Sequence, residues 1–134
     1  MVAYNFQSRF AELVRTGQKT QTIRAPRKDG RHAKVGDRLQ LYTGMRTRHC
    51  RKLVEPDPVC IAVRPIHIND GAIWLDGSAA PLRADAAMEM AIADGFSCIA
   101  DFLSFFVKTH GYPFDGYLIQ WAIEPLQGGG SDAA

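Results

Sequence analysis

A chain of 134 residues, 46% hydrophobic and 22% charged, has the size and composition of one ordinary globular domain, and its short, charge-broken apolar runs exclude a bilayer-spanning segment. The start, MVAYNFQSRF, lacks the basic head and long apolar stretch of a secretory signal, so a cytoplasmic location is expected. The net charge of +2 conceals a split: residues 1–54 carry 13 Lys/Arg against 3 Asp/Glu, net +10, and residues 55–134 carry 3 against 11, net −8. Such a split marks either a side that faces a polyanion or two halves that neutralise each other across the fold.

Residues 2–6 read as a short strand. SRFAELVRTG then reads as a helix, with Ser8 as N-cap, Phe10, Leu13 and Val14 on one face, and Gly17 at the C-cap. Thr20-Gln21-Thr22-Ile23-Arg24 is strand-like and stops before Pro26, yet Ile23 is its only large apolar residue. A polar, basic loop follows, then a Gly36 turn and a strand in which Leu39 and Leu41 share a face. RTRHCRKLVEPDP is basic and then turn-rich. VCIAVRPIHIN is a strand with Val59, Ile61 and Val63 in one phase and Ile66 and Ile68 in the other, a slip that predicts a bulge or edge position at Pro65. AIWLDG is another short strand. RADAAMEMAIADG is a helix stopped by Gly95, and SCIADFLSFFVKTHG is a second, capped by Ser97. GYLIQWAI closes the fold as a strand, with Tyr117, Ile119, Trp121 and Ile123 on one side. Residues 1–126 form one domain and 127–134, a Gly-rich ending, a flexible tail. This order implies a mixed α/β (α+β) domain: a small β-barrel of five or six strands with flanking helices.

Several residues earn no site of their own. Cys50, Cys60 and Cys98 form no Cys-x-x-Cys pair and read as reduced thiols, with Cys60 and Cys98 in apolar contexts. His32, His49, His67 and His110 are scattered without a metal-binding spacing, so neither metal nor cofactor is expected. Phe102, Phe105 and Phe106 have the spacing of a helical core stripe, and Trp74 and Trp121 read as core or pocket wall. Arg46, Arg48, Arg51 and Lys52 could hold phosphates, with Tyr42 stacking on a base, or could form a solvated hairpin rim. Arg27, Lys28 and Arg31 pose the same choice.

A helix, then Gly17-x-Lys19, then Thr20-Gln21-Thr22-Ile23-Arg24, then Lys34-x-Gly36-Asp37 opening a strand, resembles the ASCH domain of the PUA-like β-barrels. Asp94-Gly95-Phe96 before a Phe-rich helix and the closing strand are similar too, and the resemblance covers about residues 3–124. One branch of that family consists of small N(4)-acetylcytidine amidohydrolases. Its active site is a lysine and a threonine of a Lys-Thr-x-Thr run, matched here by Lys19 and Thr22, and a distant carboxylate, at whose place stands Asp94. The branch carries glutamate there, so the aspartate is a departure. The resemblance implies a metal-free hydrolase of an acylated pyrimidine nucleoside or base. Other family members imply an RNA-binding module or a ribonuclease working in the basic cleft. The partner is then a nucleoside or RNA, not a membrane; the oligomeric state is open and compatible with a monomer.

The chemistry would use Lys19 as general base for the Thr22 hydroxyl, with burial and Arg24 lowering the lysine pKa. Asp94 would orient the lysine or protonate the leaving amine. Arg24 and Tyr42 are expected beside the pocket, and Arg46, Arg48 and Arg51 on the phosphate side. Strict alternation would turn Lys19 and Thr22 to opposite faces of a strand, so a turn or bulge after Gly17 is required. The plainer reading is that Thr22 is a β-branched strand former and Lys19 a cation at a helix C-terminus.

Overall fold

The computed structural model describes residues 2–123. In chain order the elements are β1 (Val2–Phe6), α1 (Ser8–Arg15), β2 (Gln21–Arg24), β3 (Leu39–Thr43), β4 (Arg51–Lys52), β5 (Val59–Asn69), β6 (Ala72–Leu75), α2 (Ala84–Ala93), α3 (Ile99–Thr109) and β7 (Phe114–Ala122). The mixed α/β class is as expected, but the strands number seven, not five or six. The additional one is β4, two residues of the basic stretch that pair with Tyr42 and Thr43.

The strands form two sheets, β1-β3-β4 and β2-β7-β5-β6. No ladder closes them into a barrel among the described residues. They touch where β3 and β5 begin: Arg38 bridges Val59, and Leu39 N–H donates to Pro58 O at 2.9 Å. At the other end, β1 and β2 are both edge strands, and no backbone ladder joins them. The core lies between the sheets and under the helices. Phe6 meets Trp121 edge-on at 6.1 Å, and Phe106 meets Phe114 at 5.4 Å. Of the Phe-rich helix, Phe102 and Phe106 are fully packed and Phe105 is half-buried.

Three local expectations are corrected. Ser8 is the first residue of α1 rather than its cap; Gln7 is the N-cap and its side chain makes no capping bond. Cys98, not Ser97, is the N-cap of α3, and Ser97 instead donates its hydroxyl proton to Asp101 at 2.9 Å. The bulge in β5 lies between Cys60 and Ala62, which leaves Ile61 55% exposed. Pro65 needs no bulge: its carbonyl accepts from Asp76 N–H just past β6, where that ladder runs out. Of the three thiols, Cys50 is exposed, Cys60 buried and Cys98 intermediate, and all are free. The expected tail at 127–134 lies outside the described residues. No helix among the described residues is long and apolar enough to cross a membrane.

Candidate active site

The polar run that opens β2 has an unusual fate. Lys19, Gln21 and Thr22 are buried, with Asp94, and these four are the buried polar side chains of the described residues. A polar group withdrawn from water costs free energy unless it finds a partner. The partners here are each other.

Lys19 escapes the alternation of a strand because the strand begins two residues later. After α1, Gly17 adopts φ 83°, a left-handed conformation that glycine adopts without strain. Lys19 N–H then donates to Leu13 O at 2.9 Å, which ties the turn back to the helix. From there the Lys19 ammonium reaches residue 94. Nζ lies 3.3 Å from Asp94 Oδ1 and donates to the Asp94 backbone carbonyl. Residue 94 thus offers the lysine two acceptors, one from its side chain and one from its main chain.

Asp94 is the C-cap of α2, and Gly95 follows at φ 98° and turns the chain into Phe96. Gln21 braces the carboxylate, donating Nε2 to Oδ1 at 3.3 Å. A Cβ on Gly95 would stand 3.1 Å from Lys19 Cδ and 3.2 Å from Phe10 Cδ1. Gly95→Ala is accordingly expected to cost about 1–3 kcal/mol from backbone strain and overpacking, and to displace Lys19. Chemical denaturation reads the first effect, and a crystal structure of the variant the second.

Thr22 lies on the other side of the same cavity. Arg24 Nε donates to Thr22 Oγ1 at 2.9 Å, and Arg24 Nη2 donates to Asn5 O on β1 at 2.8 Å. The hydroxyl is thus held as an acceptor by a cation, with its own proton free to leave. The arginine carbon sits 4.9 Å from the Phe6 ring centre and 5.1 Å from Tyr4.

Lys19, Thr22, Arg24 and Asp94 line one cavity of about 170 Å³, walled by Phe6, Phe10, Phe96, Phe105 and Phe106. The volume is below the ~300–1,000 Å³ usual for drug-sized ligands, so it suits one small ring system rather than several nucleotides. Burial drives the Lys19 pKa down; the Asp94 charge opposes this, and Arg24 and Arg9 reinforce it. Burial drives Asp94 up, against the pull of Lys19. Burial also brings Arg24 down to about 10. Both partners of the Lys19–Asp94 pair are pushed toward their neutral forms, the state in which an amine can accept a proton.

The other expected site residues lie elsewhere. Tyr42 is half-buried in β3, paired with Asn5 and Lys52, and does not line the cavity. Arg48 and Arg51 are exposed and line neither this cavity nor its neighbour, and the charge of Arg51 is felt at Glu12 on α1. Arg46 lines the neighbouring cleft. The basic stretch splits because Arg51 and Lys52 enter a strand, and Lys52 pairs with Asp57 at 2.7 Å.

The residue pattern gave no site role to His110 or Asn5, whereas Arg27, expected as a phosphate ligand or a solvated rim, lines the neighbouring cleft. His110 caps α3, lines the cavity and stacks on Phe106, with its pKa lowered by burial and by Arg24. Its only signal was its place beside the Gly111 helix stop. Asn5 binds through its backbone as well as its side chain, which no residue pattern reveals.

No family model, curated protein or solved structure matches this chain. The site is therefore read from its own geometry. Among the described residues no group of three or more His, Cys, Asp or Glu is placed to hold a metal ion.

Proposed function

We propose that this chain is an amidohydrolase that removes an acyl group from the exocyclic amine of a pyrimidine nucleoside or base such as N(4)-acetylcytidine, working through its own side chains. The observation that carries the reading is the convergence of Lys19 and Thr22 with a carboxylate 75 residues further on, in one small aromatic-walled cavity. The ASCH resemblance supports the same three residues, and with it the description of the two sheets as an opened PUA-like barrel.

The amine of Lys19, its pKa lowered by burial, takes the Thr22 proton once it has lost its own, directly or through one water, since the two side chains share no hydrogen bond among the described residues. Thr22 Oγ attacks the acyl carbon. Arg24 stabilises the negative charge that develops, donating to Oγ1 from Nε, while its Nη1 has no partner among the described residues and can serve the oxyanion. The C–N bond breaks, the leaving amine takes the proton from Lys19, and water then hydrolyses the threonine ester with Lys19 again as base. Asp94 orients the lysine throughout.

The test is incubation with N(4)-acetylcytidine beside a panel of RNA oligonucleotides. Cytidine and acetate from the first, with the RNA intact, is the expected result. Shortened RNA would replace this reading with a ribonuclease, and retention without product with a binding module. The pH profile is a further expectation. Lys19 must be neutral, so kcat/KM rises with pH and levels off below the ordinary lysine value of about 10.4, because burial lowers the pKa. A profile that is flat from neutral pH into the alkaline range would remove the lysine as base.

The RNA-binding alternative is favoured by one observation, the cleft lined by Arg24, Arg27 and Arg46.

A further inference from the structure

Beside the catalytic cavity lies a second, larger cleft of about 460 Å³, lined by Ala3, Tyr4, Asn5, Arg24, Arg27, Met45 and Arg46. The two cavities share Asn5 and Arg24 as a common wall. Three guanidinium groups therefore converge on the cleft, and none of them has a carboxylate partner among the described residues.

Each arginine is held in place by something other than an anion. Arg24 and Arg27 flank the same phenol ring, their carbons 5.1 and 4.7 Å from the Tyr4 centre. Tyr4 is itself anchored, its hydroxyl accepting Ala33 N–H at 3.0 Å. Arg27 Nη2 donates to Ala3 O at 2.7 Å, as Arg24 does to Asn5 O. Arg46 is presented by a pinned turn. Asn5 Oδ1 accepts Met45 N–H at 2.9 Å, Thr47 N–H donates to Gly44 O at 3.1 Å, and Arg46 takes φ 67°. Its guanidinium makes no hydrogen bond or ion pair among the described residues.

Like charges gathered without counter-charges repel one another, and mutual repulsion with Arg27 is one of the influences that lower the Arg24 pKa. Such an arrangement gains most from an incoming anion. Arginine forks match the tetrahedral oxygens of phosphate.

We infer that this cleft is a phosphate subsite, which binds a phosphate joined to the sugar of the nucleoside whose base enters the adjoining cavity. The preferred substrate is then a nucleotide or an RNA-internal nucleoside rather than a free nucleoside. The inference rests on the proposed function for the identity of the base, but its test reads binding and not hydrolysis.

The test is equilibrium binding by calorimetry of cytidine, cytidine 5′-monophosphate, a short cytidine oligoribonucleotide and inorganic phosphate, alongside hydrolysis of N(4)-acetylcytidine. The monophosphate should bind about tenfold or more tighter than cytidine at low salt, with the advantage shrinking as salt rises. Arg46→Ala should bring the ratio of the two affinities close to one. A still tighter oligonucleotide would assign the phosphate to an RNA backbone, and an oligonucleotide no tighter than the monophosphate would assign it to a free nucleotide; both support the subsite. Equal affinity for cytidine and its monophosphate overturns it, even if acetylcytidine is hydrolysed. A monophosphate preference without any hydrolysis sustains the subsite and sinks the amidohydrolase. Inorganic phosphate binding as tightly as the monophosphate would sever the cleft from the base cavity and overturn the proposal, as would a monophosphate preference untouched by both Arg46→Ala and Arg46→Glu.

Discussion

Lys19→Met and Thr22→Val each lower kcat/KM for N(4)-acetylcytidine by about a thousandfold or more, and the double variant is little worse than either. The two side chains act as one unit, so removing the base leaves the hydroxyl inert and removing the hydroxyl leaves the base without a task. Valine keeps the shape of threonine in the buried β2, and methionine keeps the apolar stem of lysine among Phe6 and Phe10. Lys19→Met leaves a buried carboxylate without its cation, which ordinarily costs about 3–5 kcal/mol. Circular dichroism and a melting curve therefore accompany the assay, and Thr22→Ser, which retains the hydroxyl, should recover much of the activity. Asp94→Asn separates orientation from charge. The Asp94 charge raises the Lys19 pKa against the effect of burial. Removing that charge should move the rising limb of the pH profile to lower pH while lowering its plateau. A limb that moves upward, or a fully active Thr22→Val, would reject the assigned roles.

Gly116→Ala should destabilise the protein by about 3 kcal/mol or more, one of the largest effects of any single methyl group here. Gly116 lies in β7 opposite Ile66 of β5. A Cβ there would stand 2.4 Å from the backbone oxygen of Arg24 and 2.7 Å from the Phe114 ring. The obstacle on one side is main chain of β2, which cannot swing away as a side-chain end can. Relief requires β2 to move off β7, and β2 carries both Thr22 and Arg24. Turnover should fall together with the denaturation midpoint. Gly71→Ala is the contrast, since a Cβ there meets nothing within 4 Å and only its φ of 84° counts against it. A Gly116→Ala protein within about 0.5 kcal/mol of the parent would show that the two strands are not so closely apposed.

The parts of the fold that follow from local periodicity were legible in the residues. The Phe102 and Phe106 stripe, the Leu39 and Leu41 face and the Gly95 stop all stand where the pattern places them. Caps were less legible, because Ser8 and Ser97 are ordinary cap residues displaced by one position in a chain where Gln7 and Cys98 hold the cap geometry. β4 escaped notice because two basic residues carry no alternation. In the site, Lys19, Thr22 and Asp94 could be named through a resemblance, and Arg24 through its neighbourhood. What could not be read was which basic residues turn inward. Arg27 and Arg46 face one cleft and Arg48 and Arg51 do not, and that difference comes from the 44–50 turn and from Asn5 across the sheet edge.

The gap between β1 and β2 is spanned by Arg24 and Arg27, whose forks take the outward carbonyls of Asn5 and Ala3. Those oxygens belong to an edge strand that would otherwise offer its backbone to any passing chain. Guanidinium groups thus blunt the edge against aggregation without filling it, as a further strand would have done. Had the two edges been joined by a backbone ladder, the carbonyls of Ala3 and Asn5 would have been taken by main-chain donors and the two guanidinium groups displaced from them. The unpaired seam is where both cavities have their common wall, Asn5 of β1 and Arg24 of β2, so a design that joined the two edges for stability would also rebuild that wall.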